Sequence, residues 1–317
     1  MSETLSRAPR APLVSPGEID GHFSDMTATF SADVTLAAAQ QMLAEHGQWL
    51  PIDGAPDQSL GTLCNCNSTG PLRLGYGAWR DLLLGAQFIN GGGELITVGG
   101  RTVKNVAGYD VTKFMVGQRG VFGRLVTLTT RTYRKPDQAL LVRYPPQPNI
   151  VAGLMPTPLK PQWALLTRES LLCGYLGDEP AIAYFERAVA ATKPIEIRRR
   201  DLLDDIVQRQ ELWTADGDVV FRAAVPPANL GALSRRLEET VWAADAAFGI
   251  VQGVIDVDRQ PLRPRIEQAG GTVAFYAGLY GNPIELTVSD GERKLLERLK
   301  TAFDSQQTLN PLPWQNA

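Results

Sequence analysis

The chain reads LGTLCNCNSTGP at residues 60–71 and KNVAGYD at residues 104–110, and a glycine-spaced segment with Gly117, Gly120 and Gly123 follows. Glycines and small hydroxyl residues let a backbone approach a ligand closely, which a bound pyrophosphate and a large flat ring require. Surface loops that bind nothing have a similar composition, and composition alone favours that simpler interpretation. By themselves, these residues leave both alternatives open.

Beyond its composition, this stretch resembles the FAD-binding subunits of bacterial glycolate oxidases, which are flavoproteins of the p-cresol methylhydroxylase and vanillyl-alcohol oxidase class. The resemblance runs nearly without gaps over residues 26–136. The seven-residue KNVAGYD string is the most unusual of the shared motifs, and the others are Gly61, Gly70-Pro71, Arg80-Asp81 and Leu84-Gly85. The resemblance is weaker but recognisable at Gly270-Gly271 and at residues 309–311.

The resemblance implies an α+β protein with two domains. Residues 1–25, rich in proline, glycine and charge, are expected to form a poorly ordered lead-in. Residues 26–136 are expected to form a truncated FAD-binding domain of the p-cresol methylhydroxylase type. Residues 137–317 resemble the cap domain of FAD-linked oxidases. Their alternating strand-like and helix-like segments predict an antiparallel sheet that is covered by helices on one face.

Several local patterns predict single elements. Apolar residues at helical spacing predict a helix over residues 36–45, with Asp33 as its N-cap. The three glycines at residues 91–93 predict the turn of a hairpin. Leucines in register predict one helix over residues 229–242. The basic run at residues 197–200 is expected to be a solvated face.

By resemblance, FAD would lie against the loop that ends at Gly70 and against the glycine-spaced strand. The implied cofactor-binding residues are Asn67, Ser68, Thr69, Gly70, Gly77, Asp81, Gly108, Tyr109, Gly123 and Leu125. A structural role is an equally favoured interpretation at residues 108–110. There, Asp110 would cap a helix and Gly108 would permit a tight turn.

The chain departs from the family pattern at its beginning. Family members normally start with a further subdomain, whose glycine- and serine-rich loop holds the pyrophosphate, and residues 1–25 have no such loop. Thr62 replaces the second glycine of a Gly-Gly pair, and Leu312 replaces the glycine of an Asn-Pro-Gly motif. Losing several amide donors weakens binding by orders of magnitude. We therefore expect that a partner chain completes the site, that FAD binds weakly, or that FAD is not bound.

The function implied by the resemblance is FAD-dependent oxidation of a small 2-hydroxy acid such as glycolate. The chain would act in a complex with a second flavin subunit and an iron–sulfur subunit. The alternative is a flavin-free accessory or scaffold subunit that keeps the fold and the partner surface. No catalytic base is assigned: His22 and His46 favour exposed or capping roles. Arg73 and Arg101 are the nearest basic candidates for a carboxylate clamp.

Composition excludes other classes of function. The formal net charge of −3 gives no concentrated basic surface, so we expect no nucleic-acid partner. Three cysteines, an odd number, favour a reducing compartment and do not form a paired-cysteine metal motif. No stretch approaches the roughly 20 apolar residues that a membrane helix needs. The sequence therefore predicts a cytoplasmic protein without a metal site or a membrane span.

Overall fold

The structure, a computed structural model, describes residues 12–101, 111–213, 217–237, 241–255, 262–285 and 288–315. Two large antiparallel sheets and a two-stranded ribbon organise these residues. The earlier strands are β1 (Ile19–His22), β2 (Thr27–Ser31), β3 (Gln48–Trp49), β4 (Leu83–Ile89), β5 (Leu95–Gly99), β6 (Arg124–Arg131) and β7 (Tyr133–Arg134). The later strands are β8 (Gln138–Tyr144), β9 (Trp163–Leu166), β10 (Leu171–Gly177), β11 (Glu196–Asp201), β12 (Val219–Ala224), β13 (Val241–Asp245), β14 (Ile250–Val254), β15 (Thr272–Ala277) and β16 (Pro283–Glu285).

Short helices connect and cover these strands. Those of the first part are α1 (Leu36–Glu45), α2 (Leu60–Asn65), α3 (Arg73–Tyr76), α4 (Trp79–Leu82) and α5 (Val111–Phe114). Those of the second part are α6 (Asn149–Leu154), α7 (Glu179–Val189), α8 (Leu202–Trp213), α9 (Leu230–Ser234), α10 (Leu262–Gln268) and α11 (Asp290–Phe303). The mixed α+β class expected from the sequence is confirmed.

The first sheet has the strand order β1-β2-β6-β4-β5, and all of its neighbouring strands are antiparallel. The predicted hairpin is confirmed, because β4 pairs with β5 across residues 91–93. Asn90 fixes its turn by accepting hydrogen bonds from the backbone N–H groups of Gly92 and Glu94. Phe30 and Leu128, on neighbouring strands, belong to the core beneath this sheet.

The second sheet has the order β11-β8-β10-β9-β13-β14-β12-β15-β16 and is antiparallel throughout. Successive side chains of a strand point to opposite faces. On β8, Leu140 and Val142 share a core with α6, α7, α9 and α10. Ala139 and Leu141 instead share a core with α8 and with Trp49 of the first part. The predicted helix-covered antiparallel sheet is confirmed, but helices lie on both faces and not on one.

Some local predictions are corrected by pairing with distant segments. Residues 19–22, placed in the poorly ordered lead-in, form β1 and pair with β2. Residues 229–242 are not one helix, because α9 ends at Ser234 and Trp242 lies in β13, paired with β14. Asp33 does not cap α1: Thr35 accepts the capping hydrogen bond from Ala38, and Asp33 accepts one from Gly17. The predicted bounds of α1 itself are confirmed.

A buried ion triad joins the two parts of the chain. The guanidinium of Arg209, on α8, lies between the carboxylates of Asp205 on the same helix and Asp53 in the loop before α2. All three side chains are buried. The second carboxylate oxygen of Asp53 accepts a hydrogen bond from the backbone N–H of Leu72 at 2.8 Å. The triad therefore ties the loop after α2 to the face of the second sheet.

We predict that Arg209→Leu destabilises the protein by about 3–5 kcal/mol, because it leaves two buried carboxylates without a partner. Urea unfolding at neutral pH measures this loss. Arg199→Ala is the matched control. Arg199 lies on the edge strand β11 and forms exposed ion pairs with Glu179 and Glu186 of α7. Exposed ion pairs contribute little to the free energy of unfolding, so this variant should stay close to the wild type. Equal midpoints for the two variants would contradict the role assigned to the triad.

Candidate functional site

A narrow cavity of about 40 Å³ lies where the loop after α2 meets the second sheet. Segments that are far apart in sequence form its walls, which include Ser68, Thr69 and Arg119 from the first part and Arg222, Tyr276 and Tyr280 from the second. We call this space the interface cavity. It joins the loop that the sequence assigns to a cofactor with strands of the second sheet.

Two guanidinium groups of the interface cavity form no ion pair within the part of the chain that the structure describes. Both Nη atoms of Arg222, on β12, lie 3.4 Å from backbone carbonyl oxygens, those of Asn67 and Thr69. This distance is beyond that of a strong hydrogen bond. Burial lowers the pKa of Arg222, and the neighbouring charges of Arg73 and Arg119 also lower it, against the opposing effects of Tyr276 and Asp245. A bound anion would therefore stabilise this cluster.

Arg119 reaches the interface cavity from the glycine-spaced segment. Its backbone is left-handed, with a φ of 54°. Its guanidinium carbon lies 4.9 Å from the centre of the Tyr276 ring, and Nη1 donates a hydrogen bond to the carbonyl of Gly281. A cation over an aromatic ring is held by the electron-rich face of that ring. The second cation is thus anchored beside Tyr276.

The structure brings three of the predicted cofactor residues to this place. Ser68 and Thr69 line the interface cavity, and the carbonyl oxygen of Asn67 faces Arg222. Asn67 adopts a left-handed φ of 49°, which asparagine tolerates better than most residues do. The side chain of Ser68 donates to the carbonyl of Asp53, so the triad also holds this loop. Cofactor binding by these residues stays a prediction.

Two predicted glycines are packed against protein side chains. A Cβ on Gly70 would lie 2.5 Å from the Cβ of Asp53. A Cβ on Gly123 would collide with the ring of Phe88, which lies on the neighbouring strand β4. The protein's own packing therefore explains why these positions carry no side chain.

The remaining predicted residues do not line the interface cavity. Gly77 ends α3 with a φ of 90°, and a Cβ there would lie 2.7 Å from that of Asp81. Asp81 accepts a hydrogen bond from the backbone N–H of Ala78 at the start of α4. Leu125 is buried in β6. Gly108 and Tyr109, together with the predicted cap Asp110, lie outside the described residues.

A second space of about 270 Å³ adjoins the interface cavity at Arg119 and Tyr276. Gly117 forms part of its wall, and Leu312 and Trp314 close its far side. Ligand pockets usually have volumes of about 300–1,000 Å³. The described residues are compatible with a flat ring in this region. At Gly70 and Gly123, side chains of Asp53 and Phe88 occupy the positions next to where a Cβ would lie.

The basic residues and histidines singled out in the sequence do not line the interface cavity. Arg73 lies over the ring of Phe248, at 3.8 Å from the ring centre, and Arg101 pairs with Asp20 at the surface. His46 stacks on Phe23, and His22 lies 3.3 Å from Asp20. Sequence reasoning missed Arg222, Tyr276 and Tyr280. Each is a single polar residue in an ordinary strand or turn, and no local pattern marks it.

Comparison with known proteins supports the resemblance. Residues 17–99 match the family model described as an FAD binding domain. Over 123 residues the chain is 31% identical to glycolate oxidase subunit GlcE of Escherichia coli (strain K12), an alignment that covers 38% of this chain and 35% of the relative. The expected resemblance to glycolate oxidase subunits is thus confirmed.

Two further similarities widen this picture. The mitochondrial D-lactate dehydrogenase [cytochrome] of Arabidopsis thaliana is 27% identical over 120 residues, or 38% of this chain and 21% of that protein. These alignments thus span about a third or less of the curated relatives. A solved alkyldihydroxyacetonephosphate synthase superposes with a TM-score of 0.66 at 14% identity, covering 91% of this chain and 65% of that one. At that identity the likeness shows the fold alone.

The described residues lack a membrane-spanning helix and a cluster of metal-ligating side chains. None of the helices there combines the length and the apolar character needed to cross a membrane. The same residues contain no group of three or more histidine, cysteine or acidic side chains placed to hold a metal ion.

We predict that Gly123→Ala destabilises the protein by about 1–3 kcal/mol, because the added methyl group overpacks the core at Phe88. This loss should be the same with and without added FAD, as measured by urea unfolding. Gly153→Ala is the matched control: Gly153 is exposed in α6, and an added Cβ meets nothing there. Alanine is the better helix former, so that variant should be unchanged or slightly more stable. A Gly123 variant that loses only FAD affinity would show that a ligand, and not Phe88, requires the glycine.

Asp245 is a buried carboxyl group near this region, at the end of β13. One of its oxygens accepts hydrogen bonds from the backbone N–H groups of Ala247 and Phe248, and the other lies 3.8 Å from Nε of Arg73. Burial raises its pKa from 3.8 to about 7, against the opposing effect of Arg73. The folded state therefore binds this proton more tightly than the unfolded state does. The resulting stability is complete below the unfolded pKa and is lost as the pH rises through about 7.

We predict that the free energy of unfolding falls by about 2 kcal/mol more in the wild type than in Asp245→Asn between about pH 5.5 and about pH 8. The asparagine has no proton to lose, so its stability lacks this contribution. Urea unfolding of both proteins at the two pH values measures the difference. Parallel pH profiles would mean that Asp245 is ionised in the folded protein across this range.

Proposed function

We propose that the protein is an FAD-binding oxidoreductase subunit that oxidises a small 2-hydroxy acid such as glycolate. The observation that carries this proposal is the position of Arg222 and Arg119 beside the loop of residues 67–69. This loop lies within residues 17–99, the part that matches the FAD binding domain model. Related proteins are named as glycolate oxidase subunits and D-lactate dehydrogenases, whose names refer to 2-hydroxy acids.

The two arginines are the proposed clamp for the carboxylate of the acid. Charge-assisted hydrogen bonds between guanidinium and carboxylate are the strongest that a protein offers to such a group. The carboxylate would satisfy the Nη donors of Arg222, which now face carbonyl oxygens at 3.4 Å. Asp53 also lines the cavity, but its oxygens are engaged by Arg209 and by the N–H of Leu72, so we do not assign it as a base. A bound flavin supplies the acceptor for the hydride of the acid.

A complex is the proposed setting of this site. We propose that the phosphate side of the FAD site is completed from outside the described residues, because Asp53 and Phe88 pack where a Cβ of Gly70 or Gly123 would lie. A partner chain that supplies backbone amides would complete it. We propose a second flavin subunit and an iron–sulfur subunit as partners, as the likeness to glycolate oxidase subunits implies.

The absorbance spectrum of the purified protein tests FAD binding. After reconstitution with FAD and removal of the excess, we expect visible flavin bands, stronger when the partner subunits are present. A protein that stays colourless in both conditions would overturn the flavoprotein proposal.

Calorimetric titration with glycolate tests the clamp in the FAD-reconstituted protein. Arg222→Met should weaken glycolate binding by about tenfold or more, because it removes a charge-assisted hydrogen bond. Arg101→Ala is the control, since Arg101 pairs with Asp20 at the surface, away from the cavity. Equal affinities for the wild type and the Arg222 variant would exclude the clamp.

A flavin-free accessory subunit is the second candidate. The packing of Asp53 against Gly70 and of Phe88 against Gly123 favours it, because these glycines then need no ligand. A colourless protein that still co-purifies with a glycolate-oxidising complex would support this function.

A further inference from the structure

The chain after α11 returns to the glycine-spaced segment of the first part. Thr308, in this returning stretch, donates a hydrogen bond from its hydroxyl to the carbonyl of Gly91 at 2.8 Å. Asn310 contacts the segment directly: its side-chain Nδ2 donates to the carbonyl of Arg119 at 2.7 Å, and its backbone N–H donates to that of Gly120 at 3.2 Å. Residues 304–312 thus form a strap over the segment, which we call the C-terminal strap.

The strap holds Arg119 in a conformation that a residue with a Cβ seldom adopts. Its φ of 54° lies in the left-handed region, which is unfavourable unless contacts hold it. Those contacts come from both sides, because the N–H of Arg119 donates to the carbonyl of Asn65 while its own carbonyl accepts from Asn310. A Cβ on Gly120 would lie 2.7 Å from Nδ2 of Asn310, so the close approach also requires that glycine.

Asn310 is itself fixed by a buried lysine. Nζ of Lys300, on α11, donates to the carbonyl of Asn310 at 2.8 Å and to that of Val121 at 3.0 Å. It also forms an ion pair with Asp304, whose carboxylate accepts hydrogen bonds from the backbone N–H groups of Thr308 and Leu309. The strap and the glycine-spaced segment therefore share one hydrogen-bonded anchor.

We infer that Asn310 is a positioning residue for the anion site. It acts through the backbone of Arg119, whose guanidinium it keeps beside Tyr276 at the wall of the interface cavity. The inference rests on the proposed function in one respect: the anion that the site binds is taken to be the carboxylate of the substrate. The placement of Arg119 by Asn310 is independent of that ligand. Asn310 thereby controls a cation that lies 191 residues earlier in the sequence.

Two readouts test the inference. In the first, limited trypsin digestion with mass spectrometry follows cleavage after Arg119 in the native full-length protein. Asn310→Ala and the nearly isosteric Asn310→Asp both remove the donor, and both should speed this cleavage. In the second, glycolate titration of the FAD-reconstituted protein should show about fivefold to tenfold weaker binding for each variant, the effect of one lost hydrogen bond.

Two controls separate positioning from general docking of the strap. Thr308→Val removes a hydrogen bond of the same strap that does not touch Arg119, and it should change neither readout. In an Arg119→Met background, Asn310→Ala should weaken glycolate binding no further, because its effect passes through Arg119.

The outcomes distinguish the inference from the proposed function. Unchanged cleavage and unchanged affinity in both Asn310 variants would overturn the inference, as would an equal effect of Thr308→Val. If the wild type does not bind glycolate at all, the proposed substrate fails, and the trypsin readout still decides whether Asn310 holds Arg119.

Discussion

Arg209 is the charge on which the junction between the two sheets depends. It reaches from α8 to Asp53, and Asp53 in turn accepts the N–H of Leu72 and packs against Gly70. Burying a guanidinium is unfavourable unless carboxylates surround it, and Asp53 and Asp205 meet that requirement from opposite parts of the chain. Because the position of Asp53 is fixed in this way, so is the loop of residues 67–69, whose carbonyl oxygens face Arg222. The geometry of the candidate site thus follows from an ion triad that lies behind it.

The buried cation Arg209 and the half-buried cations Arg222 and Arg119 differ in a way that matters for function. Arg209 has two carboxylates within ion-pair distance, so its charge is already balanced. Arg222 and Arg119 have carbonyl oxygens and a tyrosine ring as direct contacts, and no carboxylate among the described residues lies within ion-pair distance of either. Two cations near each other in a partly buried space favour the entry of an anion. The first cluster holds the structure together, and the second has the charge expected of a binding site.

Elements with regular patterns were predictable from sequence, and elements with buried charge were not. The spacing of Leu36, Ala39 and Leu43 predicts α1, and the three glycines predict the β4–β5 turn. Helix α8 was missed because its buried face includes Asp205 and Arg209. The spacing of apolar residues marks the buried face of a helix, and charged residues at these positions are expected to face solvent. Strand β8 was missed because it is buried on both faces and therefore lacks alternation, and because prolines follow it directly. Arg222 was beyond prediction, since one arginine in an apolar strand gives no sign of the two segments that meet it.

A glycine and an unbalanced cation carry different information about a site. The absence of a side chain at Gly70 or Gly123 has a sufficient cause inside the protein, in Asp53 and Phe88. The charge of Arg222 has no ion-pair partner among the described residues, and its hydrogen-bond acceptors are neutral carbonyl oxygens at 3.4 Å. The arginines therefore indicate a ligand more strongly than the glycines do. Since the interface cavity is small as well as cationic, it is better matched to the carboxylate of an acid than to a large uncharged ring.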